Sequence, residues 1–212
     1  MARIVDFPML LAATHDLLSR SGRHFLAIAG APGAGKSTVA KRILKDLELS
    51  HPGTAAILPM DGFHYDNAVL LARGRQPWKG APDTFDVGGL ISTLVRLKNS
   101  SEGPVAVPVF DRELEISRGS ARIIAPEVQL IIVEGNYLLL DEAPWTALKP
   151  LFDLTVMIEV PETELRQRLH QRWVRYGLAK EQIADKLENN DLPNGKTVQN
   201  HSRTADLIFK LQ

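Results

Sequence analysis

The chain has 212 residues, enough for one well-buried domain and too few for two ordinary enzyme domains. Its 25 basic and 25 acidic residues cancel, which argues against nucleic acid or an anionic membrane as a partner. Cysteine is absent, so disulfides, thiolate metal sites and cysteine nucleophiles are excluded.

In chain order, the first pattern is an apolar run at residues 7–14, with Leu10, Leu11, Leu17 and Leu18 returning at helical spacing. Asp6, His15 and Asp16 flank it and no small-residue cleavage site follows, so it reads as a first helix and not as a secretory leader. Short apolar runs at 25–29, 55–58, 105–109, 130–133, 154–160 and 207–209 then read as strands. Between them, residues 36–49 repeat apolar side chains at Val39, Ala40, Ile43, Leu44 and Leu47, and residues 87–97 at Leu90, Leu94 and Leu97, as helical faces do. Asp86 is placed to cap the second of these. A further helix is predicted over 161–176, with Pro161 at its first position and Glu162 and Glu164 suited to the positive end of its dipole. Residues 62–86 form an irregular stretch longer than a structural loop needs, the first place to seek substrate contacts. Strands alternating with helices predict an α/β fold, a mostly parallel twisted sheet with helices on both faces. No run is long enough to span a bilayer, and the default expectation is a cytoplasmic protein without a membrane partner.

The chemistry begins at Gly30-Ala31-Pro32-Gly33-Ala34-Gly35-Lys36-Ser37, between the 25–29 strand and the 36–49 helix. Glycines at Gly30, Gly33 and Gly35 let successive backbone N–H groups, with those of Ala31, Ala34 and Thr38, curl around an anion at the helix N-terminus. Lys36 is expected to reach the β and γ phosphates of a nucleoside triphosphate, and Ser37 to place its hydroxyl on magnesium. A glycine-rich turn with a solvated Lys36 is the competing reading, and the strand and helix flanks argue against it.

Two carboxylates end predicted strands, where open α/β sheets bind ligands. Glu134, after residues 130–133, is assigned to the metal through water, and Asp61, after Met60, to orienting an acceptor hydroxyl opposite the γ phosphate. The competing readings are a solvated acid and a loop cap. Arg168, Arg172 and Arg175 fall on one face of the 161–176 helix, where they can close over a triphosphate. Arg168 is assigned to nucleotide binding and Arg172 to catalysis; a solvated arginine face is the alternative. His64, Tyr65, Asp83 and Arg112 are candidate acceptor contacts.

Taken together, the phosphate loop, Pro59-Met60-Asp61-Gly62-Phe63-His64, Lys79-Gly80-Ala81-Pro82-Asp83-Thr84-Phe85-Asp86, Pro108-Val109-Phe110-Asp111 and Val133-Glu134-Gly135-Asn136-Tyr137 resemble the phosphoribulokinase, uridine kinase and pantothenate kinase superfamily of P-loop kinases. The resemblance runs from Ala27 to about Phe209, and within the superfamily the chain looks most like bacterial fructose transport system kinases. It implies a P-loop three-layer sandwich over residues 1–212 with a mobile lid around 168–190. It also implies ATP and Mg2+ as cofactors, Asp61 at the catalytic aspartate position, Tyr137 among the substrate contacts, and a small hydroxylated metabolite such as fructose or another sugar as acceptor. A homodimer is left open. Uridine kinases carry an aspartate where this chain has Gly80, and the Tyr-Ser-His run of pantothenate kinase is replaced by Phe110-Asp111-Arg112, which weakens both of those acceptor alternatives. The alternative from another class, a nucleotide-hydrolysing switch or assembly factor, lacks support in an Asn-Lys-x-Asp run or a Ser-Gly-Gly signature.

Overall fold

The computed structural model describes residues 2–99 and 103–211. Six strands form one parallel sheet in the order β1-β8-β7-β2-β6-β3, comprising β1 (Arg3–Val5), β2 (His24–Gly30), β3 (Ala55–Pro59), β6 (Leu130–Gly135), β7 (Leu154–Glu159) and β8 (Leu207–Lys210). β2 and its neighbour β6 are apolar through residues 25–29 and 130–133 because both faces are covered, and successive side chains enter opposite cores. Leu26, Ile28, Leu130 and Ile132 pack with α1 (Phe7–Leu18), α2 (Lys36–Ser50) and Leu165 and Leu169 of α5 (Glu162–Arg175). Phe25, Ala27, Ile131 and Val133 face the other way, toward α4 (Val87–Lys98), Trp145 and Val198 of α7 (Leu192–His201). This is the P-loop three-layer sandwich, and the alternation explains why uninterrupted apolar runs marked its strands.

Several details depart from the sequence-based reading. β1 was not foreseen, since three residues carry no readable alternation. Pro161 caps α5 from outside instead of occupying its first turn. Residues 105–109 leave the main sheet: β4 (Val105–Asp111) pairs antiparallel with β5 (Ile116–Ile124) in a separate hairpin. β5 escaped detection because its central residues are exposed and polar. The irregular stretch contains short 3-10 turns and α3 (Asn67–Ala72), capped by Asp66. After α5 come α6 (Lys180–Lys186) and a single π turn, Leu187–Asp191, that runs into α7. Asp86 caps α4 as expected, its carboxylate accepting from the N–H of Gly89. Among the described residues, no helix is long and apolar enough to cross a membrane.

Arg23 fastens the entry to β2. Its guanidinium donates to the carbonyls of Leu97, Ala125, Pro126 and Val128 at 2.7–3.0 Å, joining the end of α4 to the connection leading into β6.

Candidate active site

The ends of β2, β3 and β6 open into a cleft of about 450 Å³. On its floor, Gly33 and Gly35 take positive φ of 80° and 90°. A Cβ on either would press on Leu169 or Leu211 at 3.0–3.1 Å, so both the backbone angle and the packing select glycine. Gly35 caps α2 without a side-chain hydrogen bond, which leaves the helix's first N–H groups available to an anion.

Lys36 is buried and folds back onto the loop. Its ammonium donates to the carbonyls of Gly30 at 3.0 Å and Ala31 at 2.9 Å, and to Asn136 Oδ1 at 2.6 Å. Burial pushes its pKa down to about 8, against the opposing attraction of Glu134 and Asp61. The Ser37 hydroxyl donates to Glu134 Oε1 at 3.0 Å. Burial raises the Glu134 carboxyl pKa, as does the neighbouring Asp61, while Lys36 and the Ser37 bond hold it down. Among the described residues there is no group of three or more His, Asp or Glu side chains that could hold a metal alone. A hydroxyl and one carboxylate nevertheless suit Mg2+, which keeps several waters and takes its remaining ligands from substrate phosphates.

Asp61 stands on the opposite wall, in the short turn Met60–Phe63 that follows β3. Its carboxylate pairs with Arg112 from the β4–β5 hairpin, and the Ser117 hydroxyl of β5 donates to the Gly62 carbonyl. Burial would raise the Asp61 pKa, but nearby positive charge outweighs it and the net shift is downward. His64 contributes to that field only when protonated, and burial depresses its own pKa, so at neutral pH the work falls to Arg112, Lys36 and Arg172. The imidazole of His64 touches the Asp61 carbonyl through Nδ1 at 2.9 Å and packs between Phe85 and Phe110, with ring centroids 4.0 and 4.9 Å away.

The third wall is helical. Arg168, Arg172 and Arg175 of α5 all face the cleft; Arg168 pairs with Glu164, and Arg172 lies beside Trp173 and Tyr176. Trp173 donates to Asp191 Oδ2 at 2.6 Å, Asn190 donates to the Lys79 carbonyl at 2.9 Å, and Asn194 donates to Asn190 at 2.9 Å. The π turn lets Asn190 and Asp191 reach both α5 and the acceptor-side loop, a use typical of such turns near functional sites.

The structure therefore gathers Lys36, Ser37, Thr38, Asp61, His64, Arg112, Glu134, Arg168 and Arg172 around one space, with Gly33 and Gly35 on its floor. Gly30 and Ala31 act through their carbonyls, and Ala34 is buried beneath. On the acceptor side, three further candidates stand outside the cleft wall. Tyr137 is wholly buried in the core, where its hydroxyl donates to the Gly80 carbonyl at 2.7 Å, so it braces a wall residue. Asp83 forms a surface pair with Arg75, and Tyr65 lies against Arg73. Sequence reasoning passed over Asn136, Lys79, Lys186 and Asn190, although Asn136 was legible as the second residue beyond Glu134 at the end of an apolar strand.

A parallel sheet whose first buried strand feeds this loop, with a buried lysine folded onto it and a strand-end carboxylate beside its serine, is the arrangement of a P-loop nucleotide-binding fold. The profile of the Phosphoribulokinase / Uridine kinase family matches residues 25–211. The chain belongs to that family. It is 36% identical over 211 residues to the uncharacterized protein YggC of Escherichia coli, spanning 98% of this chain and 86% of YggC. It is 32% identical over 204 residues to a Schizosaccharomyces pombe protein provisionally named a uridine kinase, covering 92% of this chain and 86% of that one. In three dimensions it is similar to a crystal structure from Silicibacter sp. TM1040, provisionally named a fructose transport system kinase. That match has a TM-score of 0.87 and 37% identity over 95% of this chain and 98% of the other.

Proposed function

We propose that the protein is an ATP- and Mg2+-dependent kinase that phosphorylates a hydroxyl group of a small metabolite. The observation that carries this reading is Asp61: a carboxylate on the far wall of the cleft holding the phosphate loop, where an acceptor and a γ-phosphoryl group can meet. A protein built only to hydrolyse nucleotide has no need of a second wall lined by His64, Phe85, Phe110 and Arg112.

In this mechanism the N–H groups of the loop and α2 hold the β and γ phosphates, and Lys36 leaves its carbonyl partners for the phosphate oxygens. Ser37 and Glu134 would hold Mg2+, which supplies charge neutralisation between β and γ phosphates. Asp61 orients the acceptor hydroxyl. As the bond from the γ phosphorus to the β–γ bridging oxygen breaks, a bond to the acceptor oxygen forms; the hydroxyl proton passes to Asp61 and ADP leaves. A carboxylate with a lowered pKa is a weak base, so its value lies in orientation, consistent with a loose transition state. Arg168, Arg172 and Arg175 neutralise charge on the transferred group and form part of a lid.

The name of the Silicibacter relative supports a sugar acceptor and that of the fission yeast relative a nucleoside; Gly80 disfavours the latter. The test is ADP release from Mg-ATP against a panel of sugars, nucleosides and pantothenate. Asp61→Asn should keep nucleotide affinity within a few-fold while lowering acceptor-stimulated turnover by about 100-fold or more. Undiminished turnover in that variant would remove Asp61 from the mechanism.

A further inference from the structure

The acceptor half of the cleft holds cations besides those that serve the triphosphate. The triphosphate is served by Lys36 and the arginines of α5. Three further cations, Arg112, Lys79 and Lys186, line the other side. Arg112 and Lys79 share one platform, the Phe110 ring, at 5.5 and 5.2 Å from its centroid. Lys79 is largely buried and donates to Asn67 Oδ1 at 2.8 Å and the Glu115 carbonyl at 2.6 Å, with the Glu115 carboxylate 3.9 Å away. Lys186 has no carboxylate within ion-pair distance among the described residues; its ammonium lies 5.8 Å from the Trp173 ring. Burial lowers the Lys79 pKa, Glu115 and Asp66 oppose that, and Lys186 is near enough to add to the lowering.

Against these three cations stand Asp61 and Glu115, which is more than half exposed, with Asp66 acting on Lys79 and Asp191 on Lys186 from beyond ion-pair distance. Asp61 is the group the transfer requires for the hydroxyl. While it pairs with Arg112, the guanidinium has its counter-ion; once it turns to a hydroxyl, Arg112 has no other carboxylate within ion-pair distance among the described residues.

We propose that the acceptor carries an anionic group, a carboxylate or a phosphate, which Arg112 receives, with Lys79 and Lys186 beside it, while Asp61 takes the hydroxyl. The inference rests on the kinase reading and narrows it to hydroxy acids, sugar acids or sugar phosphates in preference to fructose itself. It gives Arg112 two partners in sequence: Asp61 in the empty site, the acceptor's anion in the filled one. Exchange of the first for the second releases Asp61 only when the correct acceptor is present, which also restrains transfer of the phosphoryl group to water. The geometry suits Arg112, whose planar fork binds carboxylate and phosphate oxygens in pairs.

The experiment uses the full chain with Mg-ATP and acceptor pairs that share hydroxyl groups and differ in charge. These are pantothenate against pantothenol, glycerate against glycerol, and fructose 6-phosphate against fructose. The carboxylate and phosphate arms tell the two sources apart. The charged member of at least one pair should stimulate ADP release with kcat/KM at least about 10-fold above its neutral partner. Arg112→Gln should remove that preference, lowering kcat/KM for the charged acceptor about 10- to 100-fold more than for its neutral partner, as loss of a charge-assisted bond does. Lys79→Gln should shift KM in the same direction, and thermal melting confirms that both variants fold. Equal use of neutral acceptors overturns the inference and leaves the kinase standing. So does an Arg112→Gln variant that slows charged and neutral acceptors alike, which would make Arg112 a positioning residue for Asp61. If no acceptor of either charge raises ADP release above background hydrolysis, the kinase reading and the inference fall together.

Discussion

Gly135 is where the fold and the site depend most directly on one hydrogen atom. It ends β6 beside Glu134, whose partner across the ladder is Pro59 of β3. A Cβ at Gly135 would lie 2.4 Å from Met60 Cβ, 2.7 Å from its Sδ and 3.1 Å from its Cγ. Carbon atoms rest at about 3.5–4.0 Å, so alanine requires a separation of about 1 Å. The sulfur can swing aside, but Met60 Cβ moves only with the backbone, and Met60 is fully buried. Because the β3–β6 register is held by hydrogen bonds up to Pro59 and Glu134, the displacement falls on the residues just beyond, Asp61 and Asn136. Overpacking of this kind costs about 1–3 kcal/mol, and a 1 Å error in a reacting group costs about 100-fold in rate. Gly135→Ala should therefore lose about 1–3 kcal/mol in urea unfolding followed by circular dichroism. Its acceptor-stimulated kcat should fall about 100-fold, with nucleotide affinity changed by less than about 10-fold. Gly119→Ala, on exposed β5 with nothing within 4 Å of the added methyl, is the matched control. A Gly135→Ala protein within about 0.5 kcal/mol of the parent and with its full turnover would refute the reasoning.

Three other perturbations test separate parts of the structure. Lys36 loses its proton near pH 8 in the folded protein and near 10.5 in the unfolded chain, so between those values the unfolded state binds more protons and stability rises with pH. From pH 7.5 to 9.5 the parent should gain about 2 kcal/mol relative to Lys36→Met in urea midpoints, and parallel curves would show that the ammonium is not desolvated. Arg23→Met removes the donor to four carbonyls, of which Ala125 keeps the Val128 N–H, and should cost about 2–3 kcal/mol without altering KM for nucleotide; chemical denaturation and steady-state kinetics measure the two. Tyr137→Phe removes the brace on Gly80 and should cost about 1–2 kcal/mol by thermal unfolding, while raising KM for the acceptor more than for ATP.

Which residues could be read early follows from the range of the forces involved. The phosphate loop is local: its glycines, its lysine and the helix that follows are consecutive, so the sequence already contains the whole device. Asp61 and Glu134 were legible because each ends an apolar strand, and a parallel sheet places all such ends on one side. Tyr137 was misplaced because a tyrosine beside a motif can face either way, and only packing against Phe85 and Trp145 directs it into the core. The hairpin strand at 105–109 reads like any buried strand, yet its partner β5 lies across the acceptor turn, outside the parallel sheet.

By itself, the sequence determined the alternation of strands and helices, the glycine-rich loop ahead of α2 and the two strand-end carboxylates, because periodicity and backbone geometry act over a few neighbouring residues. Only the tertiary structure decided what stands opposite them. Arg112 meets Asp61 from 51 positions away, Asn136 meets Lys36 from 100, and Asn190 meets the Lys79 carbonyl from 111. Such pairings depend on how two cores are packed against one sheet, and no local pattern in the chain encodes them.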